Sequence, residues 1–267
     1  MNKERDDEIK AKQIVERGIG IQFEHTDTGG GVDYMSTDRT VALEVTSVTD
    51  GEKQGARDAL AKSVAKGSPT ILQGCWIVFT SENQPGMKYF AQRVEPAIAE
   101  LEFAGKTDFN EYFAQAHVLE KGELSSIYQS LLMVGVKRAS HVPHPGGHPD
   151  GPDHVHRIYP LTGSGGSVSG SDESLELLIG ELMKKSDNPK KLLDSGAEQR
   201  HLFVWLNDDT WFNIARPLGH DAPSWADDGW GLPTKDPKMA PAITHLWVMH
   251  DRTRRGWLWD GQKWQEL

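Results

Sequence analysis

The sequence predicts an α/β protein in which helices flank a mixed β-sheet. Three observations carry that expectation. Short segments alternate apolar and polar residues with period two, and between them lie segments with apolar residues at helical spacing. A chain of 267 residues is long enough to bury a substantial core. Its composition (37% hydrophobic, 25% charged, 27 glycines, 14 prolines) suits a folded chain and not a disordered, collagenous or coiled-coil one.

The first helix is expected over residues 4–17, with Ile9, Ile14 and Val15 as its apolar positions. IGIQFEH alternates as a strand, DTGGG turns, and VDYMS and TVALEVTSV are two further strands paired through STDRT. Asp50-Gly51 opens a helix to about Lys66, and the strand CWIVFT follows. A long helix from Met87 to Phe103 contains Pro96, which should kink or split it. Next come a helix over 123–134, the strand GVKRASHV, a histidine-rich loop over 141–156 and the strand RIYPL. GSGGSVSGS reads as a flexible linker. From Ser171 to about Lys185, Leu175, Leu178, Ile179 and Leu182 recur as one face of an amphipathic helix. HLFVWL is a nearly all-apolar buried strand, and ITHLWVMHD with WLWDGQKWQEL forms a tryptophan-rich meander or hairpin. Those rings are expected to pack in the sheet and not to serve as a base-stacking platform. This reading places a core domain at 1–160 and a Trp-rich C-terminal α/β extension at 161–267, packed on or extending the same sheet.

Charge and cysteine content narrow the function. The net charge of -10 argues against a protein that coats nucleic acid through a cationic surface. It does not exclude an enzyme acting on nucleic acid, because carboxylates that hold metal ions are themselves acidic. No apolar run approaches the ~18 residues of a spanning helix, so no membrane partner is expected. The charged opening MNKERDDEIKAK has no apolar stretch of a secretory signal. One cysteine, Cys75, precludes an internal disulfide and any multi-cysteine zinc site, and its run CWIVF suggests a buried thiol. A cytoplasmic, bacterial-type setting follows as the default expectation.

The segment most informative about chemistry is GGGVDYMSTDRTVALEVTSV, which puts Asp33 on one strand and Glu44 and Thr46 on the next. Strand alternation points Glu44 and Thr46 to one face, with Leu43 and Val45 on the other. A carboxylate in the middle of an apolar strand is costly to bury unless a cation or hydrogen-bond donors compensate it. Two such carboxylates from adjacent strands make a hard-oxygen site suited to Mg²⁺ or Mn²⁺.

A leading helix, then a strand, then Asp33 on a second strand and Glu44-x-Thr46 on a third resembles the PD-(D/E)XK nuclease-like superfamily. The resemblance covers residues 4–80, and more loosely the elements to about 160. It implies a restriction-endonuclease-like core, with Asp33 and Glu44 at the two acidic motif positions. Glu16 matches the acidic residue that some members add on the leading helix. The implied activity is metal-dependent phosphodiester hydrolysis in bacterial defence or DNA processing. Asp33 and Glu44 would be metal ligands, with Glu16 a ligand directly or through water. The sequence departs from the pattern twice: Val32 replaces the proline, and Thr46 stands where the catalytic lysine belongs. Threonine can position a water but carries no positive charge. A cation from elsewhere is needed, with Lys53, Arg57, Lys62 and Lys66 or the pair Lys190-Lys191 as candidates. Without one, the expectation is an inactive nuclease-like module that binds a protein or nucleic-acid partner.

Two other segments carry weaker signals. His141, His144, His148, His154 and His156, with Asp150 and Asp153, either bind a transition metal or form a solvated loop along a substrate groove. GSGGSVSG lacks the Lys-Ser/Thr ending of a phosphate-binding loop, and Asp172 and Glu173 follow it at a helix start.

Overall fold

The charged opening of the chain folds as α1 (Asp6–Ile19), with Asp6, Asp7 and Glu8 in its first turn and Arg17 in its last, as the helix dipole favours. The Glu8 carboxylate caps its start by accepting the Arg5 N–H and Nε–H, and Gly20, with φ 71°, ends it. β1 (Phe23–His25), β2 (Tyr34–Ser36) and β3 (Val41–Ser47) follow. The chain continues through α2 (Gly51–Ala65), β4 (Cys75–Thr80), a 3₁₀ turn (Met87–Tyr89), α3 (Phe90–Phe103), β5 (Asp108–Asn110), α4 (Glu111–Leu119), α5 (Ser125–Met133), β6 (Val136–Val142) and β7 (Ile158–Thr162). It closes with α6 (Ser171–Leu182), α7 (Asp187–Asp194), β8 (Gln199–Leu206), α8 (Phe212–Gly219), β9 (His245–His250), β10 (Gly256–Trp259) and β11 (Trp264–Glu266). The structure is a computed structural model and describes residues 3–27, 29–65, 71–81, 84–142, 156–162, 170–222 and 230–267.

The chain does not divide at residue 160. Residues 1–50 and 166–267 make one compact unit, and residues 51–165 make a second that interrupts it. The expected boundary at 160 is therefore corrected: residues 51–165 separate from residues 1–50, whose strands share one sheet with those after the interruption.

Among the described residues, the first unit holds a seven-stranded sheet of order β1-β2-β3-β8-β9-β10-β11. β3, β8 and β9 are parallel at its centre, and the outer pairs are antiparallel. Parallel neighbours need a crossover. α6 and α7 precede β8, and α8 links β8 to β9. Strand alternation sorts the side chains cleanly. Ala11 and Val15 of α1 pack with Tyr34, Leu43, Val45, Phe203 and Trp247 on one face. α6, α7 and α8 cover the other through Leu178, Leu192 and Leu218, against Ala42, Leu202, Val204 and Val248. His201, fully buried on the α1 side, accepts a hydrogen bond from Trp247 Nε1 at 3.1 Å. Burial, followed by the charge of His245, holds its pKa down at about 3, so it packs as a neutral ring. Trp205, Trp247, Trp257 and Trp259 are all buried, so they pack in the sheet core.

Gly18 shows how closely α1 approaches that sheet. A Cβ there would lie 2.6 Å from the Trp247 ring, which is fully buried and cannot swing away. Gly18→Ala should lower the urea midpoint, by about 1–2 kcal/mol of stability, because overpacking outweighs the ~1 kcal/mol gain in helix propensity. An unchanged or raised midpoint would mean that α1 can move off the ring.

The second unit has, among its described residues, a four-stranded sheet of order β5-β6-β4-β7. Its core gathers Trp76, Phe90, Ile98, Leu101 and Leu131. Pro96 lies inside α3, which runs unbroken from Phe90 to Phe103 instead of splitting. No described helix is long and apolar enough to cross a membrane.

Candidate active site

The β2–β3 register pairs Tyr34 with Leu43 and Met35 with Ala42; carried one residue further, it sets Asp33 opposite Glu44. Asp33 sits just ahead of β2, so its side chain occupies the place the next ladder bond would take. Its Oδ2 accepts the Val45 N–H at 2.7 Å, and its own N–H donates to Glu44 Oε2 at 3.3 Å. The two carboxylates are thus knitted into one cluster at the end of β2. They are 4% and 2% exposed.

A cation reaches the cluster from α7. Lys191 Nζ donates to Glu44 Oε1 at 2.7 Å. α7 is placed for this by Leu192, fully buried in the core, and the helix ends before Gly196, whose φ of 71° only glycine adopts freely. Lys190, one residue earlier, points outward to Asp194. From the side of α1, Glu8 is buried and held by Arg5, whose N–H and Nε donate to its two oxygens at 2.8 and 2.7 Å.

Burial is the largest influence on both carboxyls, and it favours their neutral forms. It pushes Asp33 up to about 6; the Val45 N–H opposes this, the Glu8 charge adds to it, and Lys191 and Arg5 oppose it. Burial and the Asp33 charge push Glu44 up to about 7 against the pull of Lys191. For Lys191, burial works against the charge, but the hydrogen bond and charge of Glu44 win and hold its pKa above the usual lysine value. A third carboxylate, Glu8, thus adds to a pair that one lysine only partly offsets. The site has more negative charge than its own cations can comfortably neutralise.

The residues expected from sequence fall into three groups. Asp33 and Glu44 come together. Thr46 lies on the same face two residues beyond Glu44, and its hydroxyl is 3.5 Å from Lys185 Nζ, which also donates to the Ser47 carbonyl. Glu16 does not join them: its Oε1 accepts the Phe23 N–H at 2.9 Å and ties α1 to β1. The expected role for Glu16 is corrected, and Glu8 is the α1 carboxylate that Asp33 senses. Lys53, Arg57 and Lys62 lie on α2, in the second unit, and Lys66 lies outside the described residues. His144, His148, His154, Asp150 and Asp153 also lie outside them, as does most of GSGGSVSG. His141 packs edge-on to Trp76, and His156 Nδ1 lies 3.9 Å from the buried Cys75 Sγ. Among the described residues no three His, Cys, Asp or Glu side chains meet as a metal-ligating group.

Beside the cluster, a cleft of about 350 Å³ is lined by Gly30, Gly31, Val32 and Met35 on the strand side and by Lys190, Lys191 and their neighbours on α7. Comparison with family models, curated proteins and solved structures gives no match.

Proposed function

We propose that this chain is a metal-dependent nuclease, a divergent relative of the PD-(D/E)XK nuclease-like superfamily in which Lys191 of α7 supplies the charge missing at Thr46. One observation carries the reading: two buried carboxylates on neighbouring strands share a cluster with a lysine from a separate helix. The donor set fits Mg²⁺ or Mn²⁺. Both carboxyl groups are hard oxygen donors, and their raised pKa values mark a place that a dication would relieve. A dication with one or two protein carboxylates, completing its shell from water and phosphate, is the usual magnesium arrangement.

A divalent ion held by Asp33 and Glu44 would supply Lewis acidity toward water and phosphate oxygen. The chain's own residues do the rest. The Val45 N–H fixes one Asp33 oxygen, so the carboxylate presents the other in a set direction. Lys191 offers an ammonium beside Glu44, placed to hold an attacking water and to offset charge developing at phosphorus. Lys185 orients the Thr46 hydroxyl at the edge of the cluster. Arg5 keeps Glu8 engaged, leaving it an electrostatic neighbour and not a ligand.

The second reading is an inactive module that binds a protein or nucleic-acid partner, favoured by the direct Lys191–Glu44 pair, which neutralises one carboxylate without any metal. Cleavage of plasmid and single-stranded substrates with Mg²⁺, Mn²⁺ or EDTA separates the two. Metal-dependent cleavage lost in Asp33→Ala and Glu44→Ala is the expected result; no cleavage by wild type favours the second, and cleavage unchanged in both variants removes the proposed site. Metal should also raise the melting temperature more at pH 8 than at pH 5, because protons compete for carboxyls that titrate near 6 and 7. A shift equal at both values would place the ion elsewhere.

A further inference from the structure

We infer that the cleft beside Asp33 and Glu44 seats one nucleotide of a single-stranded polynucleotide with a phosphate on Arg39, so that the substrate class is single-stranded nucleic acid and not duplex. This rests on the nuclease reading. The two carboxylates are all but closed to solvent, at 4% and 2% exposure, and do not line the cleft themselves; Val32, next to Asp33, and Lys191, bonded to Glu44, do. The cleft of about 350 Å³ has the small volume of a single-ligand pocket. A base-paired and stacked nucleotide must leave its duplex to enter such a space, whereas a single strand has no pairing to break.

The strand-side wall is made for a backbone to approach. Gly30 and Gly31 carry no side chain into the space, and Gly30 takes φ 93°. Arg39 closes that wall from the β2–β3 turn. Its φ is 62°, a left-handed conformation that glycine or asparagine would occupy with less strain. Asp38 braces the turn around it: Oδ1 accepts from Ser36 Oγ at 2.6 Å and from the Thr40 N–H at 3.1 Å. Among the described residues Arg39 makes no ion pair, while Lys190 is matched by Asp194 and Lys191 by Glu44. An arginine held in a glycine's conformation at the rim, with its guanidinium uncommitted, suits the two-point hydrogen bonding of a phosphate. Asp187 and Asp194 on the α7 wall disfavour a second phosphate there, which points to one phosphate per cleft.

The test is fluorescence anisotropy of a labelled oligothymidylate, an oligouridylate and a short duplex in EDTA, with wild type, Arg39→Lys and Arg39→Gly. Both strands should bind at least roughly tenfold tighter than the duplex, and a difference between them tells DNA from RNA. Arg39→Gly should weaken strand binding by about tenfold and lower the salt slope by about one phosphate contact, while Arg39→Lys loses less. Arg39→Gly should also melt higher, because glycine adopts φ 62° without strain; a merely structural arginine would not move affinity and stability in opposite directions. Duplex bound as tightly as single strand, or strand affinity untouched in Arg39→Gly, overturns the inference. If metal-dependent cleavage persists in either case, the nuclease reading survives alone; if no nucleic acid is bound or cut, both fall together.

Discussion

Lys191→Met should reduce metal-dependent cleavage by roughly 10²–10³-fold, the effect of removing one donor aimed at developing charge. Lys191→Arg should restore part of it, and Lys184→Ala should stay near wild type because Lys184 faces Glu181 at the surface and does not line the cleft. The fold should survive: Lys191 is 25% exposed, and methionine keeps the apolar part of the side chain. Losing the ammonium also leaves Glu44 buried without its main stabilising partner, so its pKa climbs further. The acidic limb of the pH–rate profile should therefore move to higher pH in Lys191→Met, a change that a purely structural lysine would not cause. Full activity with an unmoved profile would remove Lys191 from the site.

Asp33→Asn is expected to abolish cleavage and yet stabilise the protein at alkaline pH. Asparagine Oδ1 can still accept the Val45 N–H, so the geometry of the β2 end is kept. The gain comes from proton linkage. The folded pKa of Asp33, about 6, lies above its unfolded value near 4. Between those values the native state binds more protons than the unfolded chain, so stability is fully present below about pH 4 and declines as pH rises through 6. Glu44, at about 7, adds the same sign over a slightly higher window. The substituted amide does not ionise, and should bring about 1–2 kcal/mol at pH 8, a rise of a few degrees in melting temperature, with the advantage gone by pH 4. A destabilised Asp33→Asn at pH 8 would show that the ionised carboxylate is already well compensated in the metal-free protein.

Much of this site was legible because its costs are local. Glu44 stands in VALEVTS, where an ionisable group has no reason to be buried unless something meets it, and alternation alone set it on the face of Thr46. Asp33 follows a glycine-rich turn close enough for a hairpin register to bring it across. Glu16 misleads because Ile9, Ile14 and Val15 suggest a face beside it. The buried set is Glu8, Ala11 and Val15, a spacing that puts Glu8 on the core side. α7 is hard to see as a helix since its eight residues bury little beyond Leu192. Its signals are present in Asp187 and Pro189 in the first turn and Gly196 past the end. The pairing of β3 with β8 was not legible at all. Glu44 faces Leu202 across a parallel ladder, and no turn residue encodes such a distant partner.

That separation has a consequence for biosynthesis. β3 is translated before its parallel neighbour β8 and the helix bearing Lys191, with the whole 51–165 unit between them. During that interval β3 has β2 beside it but not β8, while the interrupting unit can collapse around its own core. Asp33 and Glu44 therefore wait for Lys191 until the interrupting unit has been made. The cluster of two buried carboxylates and one ammonium cannot assemble on a nascent chain until α7 has been translated.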